Sequence, residues 1–125
     1  MPGLLPELTS ALIVEDERRH VIALTVALQG LCVVERASSV TAALGMLAAG
    51  RYRLLICDWH LNEQTGGCVI EHARRLSPRP VIVGYSGDEQ VRELALAAGA
   101  DHFVLKQMGS AETLRGLVAQ IADSC

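Results

Sequence analysis

The sequence predicts an α/β fold, a doubly wound five-stranded parallel sheet with five helices. Short apolar runs alternate along the chain with segments in which apolar residues recur at helical spacing. The central runs contain almost no polar residues, as is typical of strands buried on both faces of a sheet. Strict alternation of strand and helix favours parallel strands joined by right-handed crossovers, with helices on both faces.

The first strand is predicted at Ala11–Val14, the first uninterrupted apolar run. A helix is expected from Arg18 to Gln29, because its apolar residues recur three and four positions apart, and Gly30 provides its stop. Cys32–Ala37 is β-branched at its centre and is predicted to form a second strand at the edge of the sheet.

Ser38 or Ser39 is expected to cap a second helix, which runs to about Ala49 and stops at Gly50. Leu54–Asp58 is the predicted third strand, in which four apolar residues run straight into an acid. Because a buried lone carboxylate is costly, this strand end indicates that other groups need its charge.

A third helix is expected at Cys68–Leu76, ended by the proline-containing segment that precedes the fourth strand, Val81–Tyr85. The fourth helix is predicted at Glu89–Ala98 and the fifth strand at His102–Leu105. The last helix is predicted at Ser110–Ala122, with its first serine as the cap.

Length and composition indicate one soluble domain. The chain has 125 residues, of which 50% are hydrophobic and only 3% aromatic, so its core must consist of Leu, Val, Ile and Ala. A net charge of −3 predicts no direct binding to nucleic acid or to anionic membranes. No apolar stretch approaches the ~18 residues that span a bilayer. Residues 1–10 are predicted to be a leader without a secretion signal and residues 11–125 the domain, and the start at Met1 favours an N-terminal position for it.

The cysteines and histidines indicate no disulfide framework and no zinc site. Cys32, Cys57, Cys68 and Cys125 form no CxxC pair, and two of them lie inside apolar runs. Reduced thiols and a cytoplasmic location are therefore expected. The four histidines share no metal-ligand spacing and are expected at the surface or half-buried.

Five polar side chains follow the predicted strands at their carboxyl ends, where open parallel sheets bind ligands. They are Glu15, Asp16, Asp58, Ser86 and Lys106. Three clustered carboxylates favour a small hard cation, Mg²⁺ or Mn²⁺, completed by water. A carboxylate oxygen of Asp58 is then free to attack phosphorus, with the hydroxyl and the ammonium stabilising the phosphoryl oxygens.

Four motifs carry a resemblance that extends from about Ala11 to Ala122. They are Val14-Glu15-Asp16, Cys57-Asp58-Trp59 with Gly66 eight residues after the acid, Tyr85-Ser86-Gly87 and Val104-Leu105-Lys106. Together, in this order and each at a predicted strand end, they resemble the receiver domain of two-component response regulators. The resemblance implies a flavodoxin-like sheet with strand order 2-1-3-4-5.

The resemblance also implies a role for each site residue. Asp58 would accept a phosphoryl group from a sensor histidine kinase or a histidine phosphotransfer protein, so the domain would assist its own phosphorylation without being an enzyme. Asp16 would bind the metal directly, Glu15 through a water, and His60 through its backbone carbonyl. The remaining implied roles are phosphoryl contacts for Ser86 and Lys106, and switching for Ser86 and Phe103.

The resemblance further implies that the surface of the fourth helix, fifth strand and fifth helix docks an effector domain or a second copy. Three residues depart from the family pattern. Gln107 and Asn62 stand where prolines are usual, so a trans peptide is expected after Lys106 and a looser loop after Asp58. Phe103 has no hydroxyl, so its switching would depend on packing alone. Trp59 is predicted to cover the site.

Several alternatives remain open from the sequence. Asp58 could be an acid without chemistry, Lys106 a solvated loop residue and Phe103 an ordinary core residue. Either Ser86 or Asp88 could cap the next helix, and capping is compatible with phosphate contact. The whole domain could be an interaction module that works without phosphorylation. An aspartate-nucleophile phosphatase is disfavoured, because it needs a second acid where His60 stands and an insertion that encloses its substrate.

Overall fold

The computed structural model describes residues 9–62 and 64–123, and it contains the predicted five-stranded parallel sheet in the order β2-β1-β3-β4-β5. The strands are β1 Thr9–Val14, β2 Cys32–Ala37, β3 Leu54–Asp58, β4 Val81–Ser86 and β5 His102–Leu105. The fold class and the edge position of β2 are therefore confirmed. Strand β1 begins two residues earlier than predicted and β4 ends one residue later, which brings Ser86 into the sheet.

Most of the predicted leader, residues 1–8, lies outside the described residues, as does Cys125. Thr9 and Ser10 already belong to β1, where they pair with Cys32 and Val33. The amide of Thr9 also donates a 3.0 Å hydrogen bond to the carbonyl of Leu31. The sheet thus begins before the predicted domain boundary.

The helices follow the predicted order but differ in length. They are α1 Arg18–Ala27, α2 Val40–Ala49, α3 Gly67–Ala73, α4 Arg92–Ala98 and α5 Ser110–Asp123, with a 3₁₀ turn at Glu89–Val91. Helix α3 ends three residues before the predicted Leu76, because the amides of Arg75 and Leu76 bond the carbonyls three residues back and tighten the chain. None of the described helices is long and apolar enough to cross a bilayer.

Helix α4 was expected from Glu89, but its first turn is the 3₁₀ turn. The side chain of Asp88 accepts a hydrogen bond from the amide of Gln90 at 2.9 Å and so fixes the turn. Helix α2 has the predicted cap, since Ser39 Oγ accepts from the amide of Ala42 at 3.1 Å. Ser110 is the first residue of α5 and its hydroxyl bonds a tyrosine, so the predicted capping role is wrong.

Two apolar cores sandwich the sheet, because successive residues of each strand point to opposite faces. In β1, Ala11 and Ile13 pack with α1 and α5, whereas Leu12 and Val14 pack with α2, α3 and α4. Strand β3 alternates in the same way, and all five of its residues are buried. Cys57, fully buried on the second face, behaves as the small hydrophobe that was predicted. The buried strands hold their carboxyl ends rigidly at one edge.

Candidate functional site

Three carboxylates lie together where β1 and β3 end. One oxygen from each of Glu15, Asp16 and Asp58 falls within 4.8 Å of the others. Glu15 is 1% exposed and Asp58 5% exposed, whereas Asp16 is partly exposed. Since β1 and β3 are neighbours and Val14 pairs with Cys57, the acids that follow them must converge. An all-oxygen cluster of this size fits a hard divalent cation, with Mg²⁺ or Mn²⁺ favoured over softer metals.

Lys106 joins two of these acids into a partly buried ion-pair network. Its Nζ lies 2.7 Å from Glu15 Oε2 and 3.0 Å from Asp58 Oδ2. The side chain reaches the cluster from the end of β5, across β4, and the Lys106 amide donates to the carbonyl of Ser86 at 2.8 Å. The interpretation of Lys106 as a freely solvated loop residue is therefore wrong.

The network displaces the pKa values of all three groups. Burial raises the pKa of Asp58 to about 6, and the nearby Glu15 carboxylate adds to this effect, although the Lys106 ammonium opposes it. Burial also opposes ionisation of Glu15, but the contacts with Lys106 and the amide of Glu17 outweigh it and lower the pKa. For Lys106, burial is outweighed by the two carboxylates, so its pKa is raised and the ammonium persists.

Ser86 lies beside Asp58 at the end of the neighbouring strand and is 1% exposed. Its Oγ accepts a 3.1 Å hydrogen bond from the amide of Asp88. The carboxylate of Asp88, rather than the hydroxyl, caps the following turn. Of the two candidate caps, Ser86 and Asp88, the structure therefore has Asp88.

A cavity of about 330 Å³ opens above Asp58. It is lined by Glu17, His20, Asp58, His60, Ser86, Gly87, Asp88 and Lys106. The His60 amide donates to Asp58 Oδ1 at 3.2 Å, and its imidazole Nε2 lies 3.2 Å from Asp88 Oδ2. Both residues of this pair line the cavity, and its volume is large enough for a phosphoryl group beside the carboxylate.

The sequence did not reveal two of the site's contributors. His20 of α1 places Nδ1 3.5 Å from Glu15 Oε2. Tyr85 lies under Lys106, whose Nζ is 5.3 Å from the centre of the ring. A half-buried histidine on a helix and an aromatic residue inside a strand carry no spacing signal, because their position depends on how the elements pack.

Trp59 packs differently from the expectation that it covers the site. Its indole lies against the start of α3, where a Cβ at Gly67 would be 2.9 Å from Cη2. Gly66 comes still closer to β3, because a Cβ there would overlap the carbonyl oxygen of Asp58 and approach Cys57 Sγ to 2.9 Å. Glycine at this position lets α3 begin directly beside the strand that carries the central acid.

Phe103 lies at the sheet edge between β4 and α4. A Cβ at Gly84 would be 3.2 Å from ring atom Cδ1, so the missing side chain makes room for the ring. The guanidinium of Arg92 lies over the ring, 4.8 Å from its centroid. The ring is partly buried against the core. On α4, which also carries Arg92, Leu94 and Leu96 are exposed, at 55% and 42%.

The comparison with family models matches residues 11–118 to the response regulator receiver domain. The chain belongs to this family. Receiver domains bind Mg²⁺ at an acidic pocket and act with kinases or phosphotransfer proteins and with effectors, and the three acids of this receiver domain have the composition and spacing for such a pocket. A comparison with curated protein sequences finds no match to the chain.

Solved structures share the receiver fold. A CheY-like receiver domain protein from Methanospirillum hungatei has a TM-score of 0.83 at 23% identity, over 94% of this chain and 96% of that chain. The chemotaxis response regulator CheY4 of Vibrio cholerae has a TM-score of 0.82 at 21% identity, over 92% and 99%. The response regulator TrrA of Thermotoga maritima, solved in complex with Mg²⁺ and BeF, has a TM-score of 0.78 at 23% identity, over 91% and 99%.

Proposed function

We propose that this receiver domain accepts a phosphoryl group on Asp58 from a sensor histidine kinase or a histidine phosphotransfer protein. The observation that carries the proposal is the Asp58 carboxylate, which lines an open cavity, lies 3.0 Å from a partly buried ammonium and is grouped with two further acids. With its pKa raised to only about 6, Asp58 is mostly ionised at neutral pH and keeps its nucleophilic form.

The chain's own residues supply the attack and part of the charge stabilisation. An oxygen of Asp58 forms a bond to phosphorus while the bond from phosphorus to the donor nitrogen breaks, and the electron pair leaves with the imidazole. The ammonium of Lys106 and the hydroxyl of Ser86 donate to the phosphoryl oxygens as their charge develops. Lys106 already contacts the carboxylate and Ser86 lines the same cavity, so little reorganisation is needed.

The metal site is proposed on the same cluster. Asp16 would bind Mg²⁺ directly, Glu15 through a water, and His60 through its backbone carbonyl. When bound, the ion supplies neutralising charge for the phosphoryl oxygens. Asp16 is the most exposed of the three acids and therefore the natural point of entry.

The output of phosphorylation is proposed to pass through Ser86 and Phe103 to the surface formed by α4, β5 and α5. Exposed Leu94 and Leu96 on α4 fit an apolar contact with an effector domain or a second copy. A cytoplasmic location belongs to this proposal, as does a role as phosphoacceptor and switch in place of a turnover enzyme.

Acetyl phosphate with Mg²⁺ tests the proposal directly. We expect one acid-labile phosphoryl group per chain by intact mass, and none in Asp58→Asn or without Mg²⁺. The matched control is Glu17→Gln, which changes a second carboxylate of the same cavity and should leave phosphorylation in place. Equal modification of Asp58→Asn would contradict the assignment, and its absence in the wild type would favour an interaction module that works without phosphorylation.

A further inference from the structure

Tyr85 is a buried aromatic residue directly beneath the lysine of the site. It is 5% exposed, and the Lys106 ammonium lies 5.3 Å from its ring centroid. Its hydroxyl forms a 2.8 Å hydrogen bond with Ser110 Oγ, and Ser110 is itself 8% exposed. One side chain thus contacts both the catalytic ammonium and the first residue of α5.

The loop between these two contacts is exposed, and two backbone hydrogen bonds join it to the start of α5. The amide of Ser110 donates to the carbonyl of Gln107 at 2.9 Å, and the amide of Thr113 donates to the carbonyl of Gly109 at 3.0 Å. Gln107, Met108 and Gly109 are all exposed, and Met108 is fully so, at 102%. The only cis peptide in the described part of the chain is Ser77–Pro78, so the bond after Lys106 is trans, as the sequence predicted. The two ends of the loop are also held by the Lys106 amide, which donates to the carbonyl of Ser86, and by the hydroxyl pair of Tyr85 and Ser110.

We propose that Tyr85 is a positioning residue that holds the Lys106 ammonium against Asp58. A lysine side chain has a flexible four-carbon stem, and its ammonium can turn its three donors in many directions. The face of the Tyr85 ring attracts the ammonium on one side and keeps solvent away. The ammonium then donates a hydrogen bond to Asp58 Oδ2 at 3.0 Å and forms an ion pair with Glu15 Oε2 at 2.7 Å.

The hydroxyl of Tyr85 has a second part in this arrangement. A buried phenol needs a hydrogen-bond partner, and Ser110 provides it from the start of α5. The bond ties β4 to α5 across the exposed loop and so limits how far the backbone of Lys106 can move. This inference rests on the proposed phosphoryl transfer, since positioning is meaningful only if Lys106 assists that reaction.

Three variants distinguish the effect of the Tyr85 ring from the effect of its hydroxyl. Tyr85→Leu removes both, whereas Tyr85→Phe and Ser110→Ala each remove only the hydrogen bond. We expect Tyr85→Leu to lower the rate of phosphorylation by acetyl phosphate about tenfold, the size of a partly buried cation–π contact. Tyr85→Phe and Ser110→Ala should each lower it about twofold to threefold, and the double variant no further, because both remove the same bond.

Two further readouts distinguish positioning from general damage to the fold. The Mg²⁺ affinity, measured by isothermal titration calorimetry, should stay within about twofold in every variant, because the three acids are untouched. The ε-methylene proton resonances of Lys106 should be separate and ring-shifted in the wild type and in Tyr85→Phe, and should average in Tyr85→Leu. If Tyr85→Leu does not fold, Tyr85→Phe and Ser110→Ala still test the hydroxyl bond.

The rate and the Lys106 resonances together test whether Tyr85 positions the ammonium. A slower reaction with unchanged Lys106 resonances would show that Tyr85 acts elsewhere, and altered resonances with an unchanged rate would show that the contact does not serve the reaction. Either overturns the proposal. Failure of the wild type itself to be phosphorylated would instead contradict the proposed function, and the lysine resonances would then report the contact on their own.

Discussion

The carboxyl group of Asp58 lies 3.0 Å from an ammonium group and is nevertheless harder to ionise than a free aspartate, with a pKa of about 6 in place of 3.8. Burial and the charge of Glu15 raise the pKa of Asp58 by more than the Lys106 ammonium lowers it. Lys106 also pairs with Glu15, so the two acids share its positive charge. Ionised Asp58 therefore costs the metal-free protein stability, and the site holds a nucleophile at the expense of the fold.

Replacement of Asp58 by Asn should stabilise the metal-free protein. The folded-state pKa is raised, so the folded chain binds the proton more tightly than the unfolded chain, and wild-type stability falls as pH rises from about 4 to 6. In EDTA at pH 7.5 we expect Asp58→Asn to be more stable by about 2 to 3 kcal/mol in urea unfolding. Near pH 4.5 the difference should shrink to about a third.

Glu17→Gln is the control for this measurement, because its carboxylate is half exposed and should change stability by less than about 0.5 kcal/mol. A difference between Asp58→Asn and the wild type that is constant from pH 4.5 to 7.5 would show that ionisation of Asp58 is not its cause.

The residues that sequence reasoning placed at the site are those that follow strands. Asp58 and Lys106 meet because parallel strands end at one edge, which is a consequence of topology alone. Their direct ion pair, and the contributions of His20 and Tyr85, could not be predicted. They depend on the rotation of α1 and on the distance between β4 and α5, which only the packed structure determines.

At the scale of elements, the junction of β3 and α3 is the most tightly fitted described part of the site. Gly66→Ala would place a methyl group against the Asp58 carbonyl and Cys57 Sγ, both held by a buried strand. We expect a loss of at least about 2 kcal/mol in urea unfolding, because neither neighbour can move away.

Gly45→Ala is the matched control. Gly45 lies inside α2, where an added Cβ meets nothing within 4 Å, so alanine should stabilise the helix by about 0.5 to 1 kcal/mol. Similar effects of the two substitutions would contradict the tight fit at position 66.

The strands could be predicted within two residues, because an apolar run has clear ends. The helix ends were less accurate, and α3 and α4 show why. At Glu89–Val91 the Asp88 side chain stabilises a 3₁₀ turn in a segment whose apolar spacing also suits an α-helix. After Ala73 the backbone hydrogen bonds join residues three apart, as in a 3₁₀ turn. The spacing of apolar residues does not distinguish such a turn from a continuing α-helix.

At the scale of the whole molecule, Glu15 and Asp58 are held by a buried strand end and by their ion pairs with Lys106, so we expect Mg²⁺ to add stability to an already folded protein. At a concentration one hundred times its Kd, we expect Mg²⁺ to stabilise the chain by about 2.7 kcal/mol, measured by thermal unfolding with and without EDTA. Asp16→Asn should lose most of this increment.

Because Asp16 is partly exposed and lies outside the ion pairs of Lys106, the same variant should resemble the wild type in EDTA. An equal Mg²⁺ increment in Asp16→Asn and in the wild type would show that the ion binds elsewhere.

Because Lys106 lies between Glu15 and Asp58, we expect folding of this protein not to depend on Mg²⁺, whereas phosphorylation does. The ammonium of Lys106 is a counter-ion that belongs to the protein itself, so we expect the native state to form without a bound cation. Proteins whose ligands come together only around a metal lose their fold when it is scarce. Here we expect scarcity to leave the number of native molecules unchanged and to lower only the fraction prepared to receive a signal.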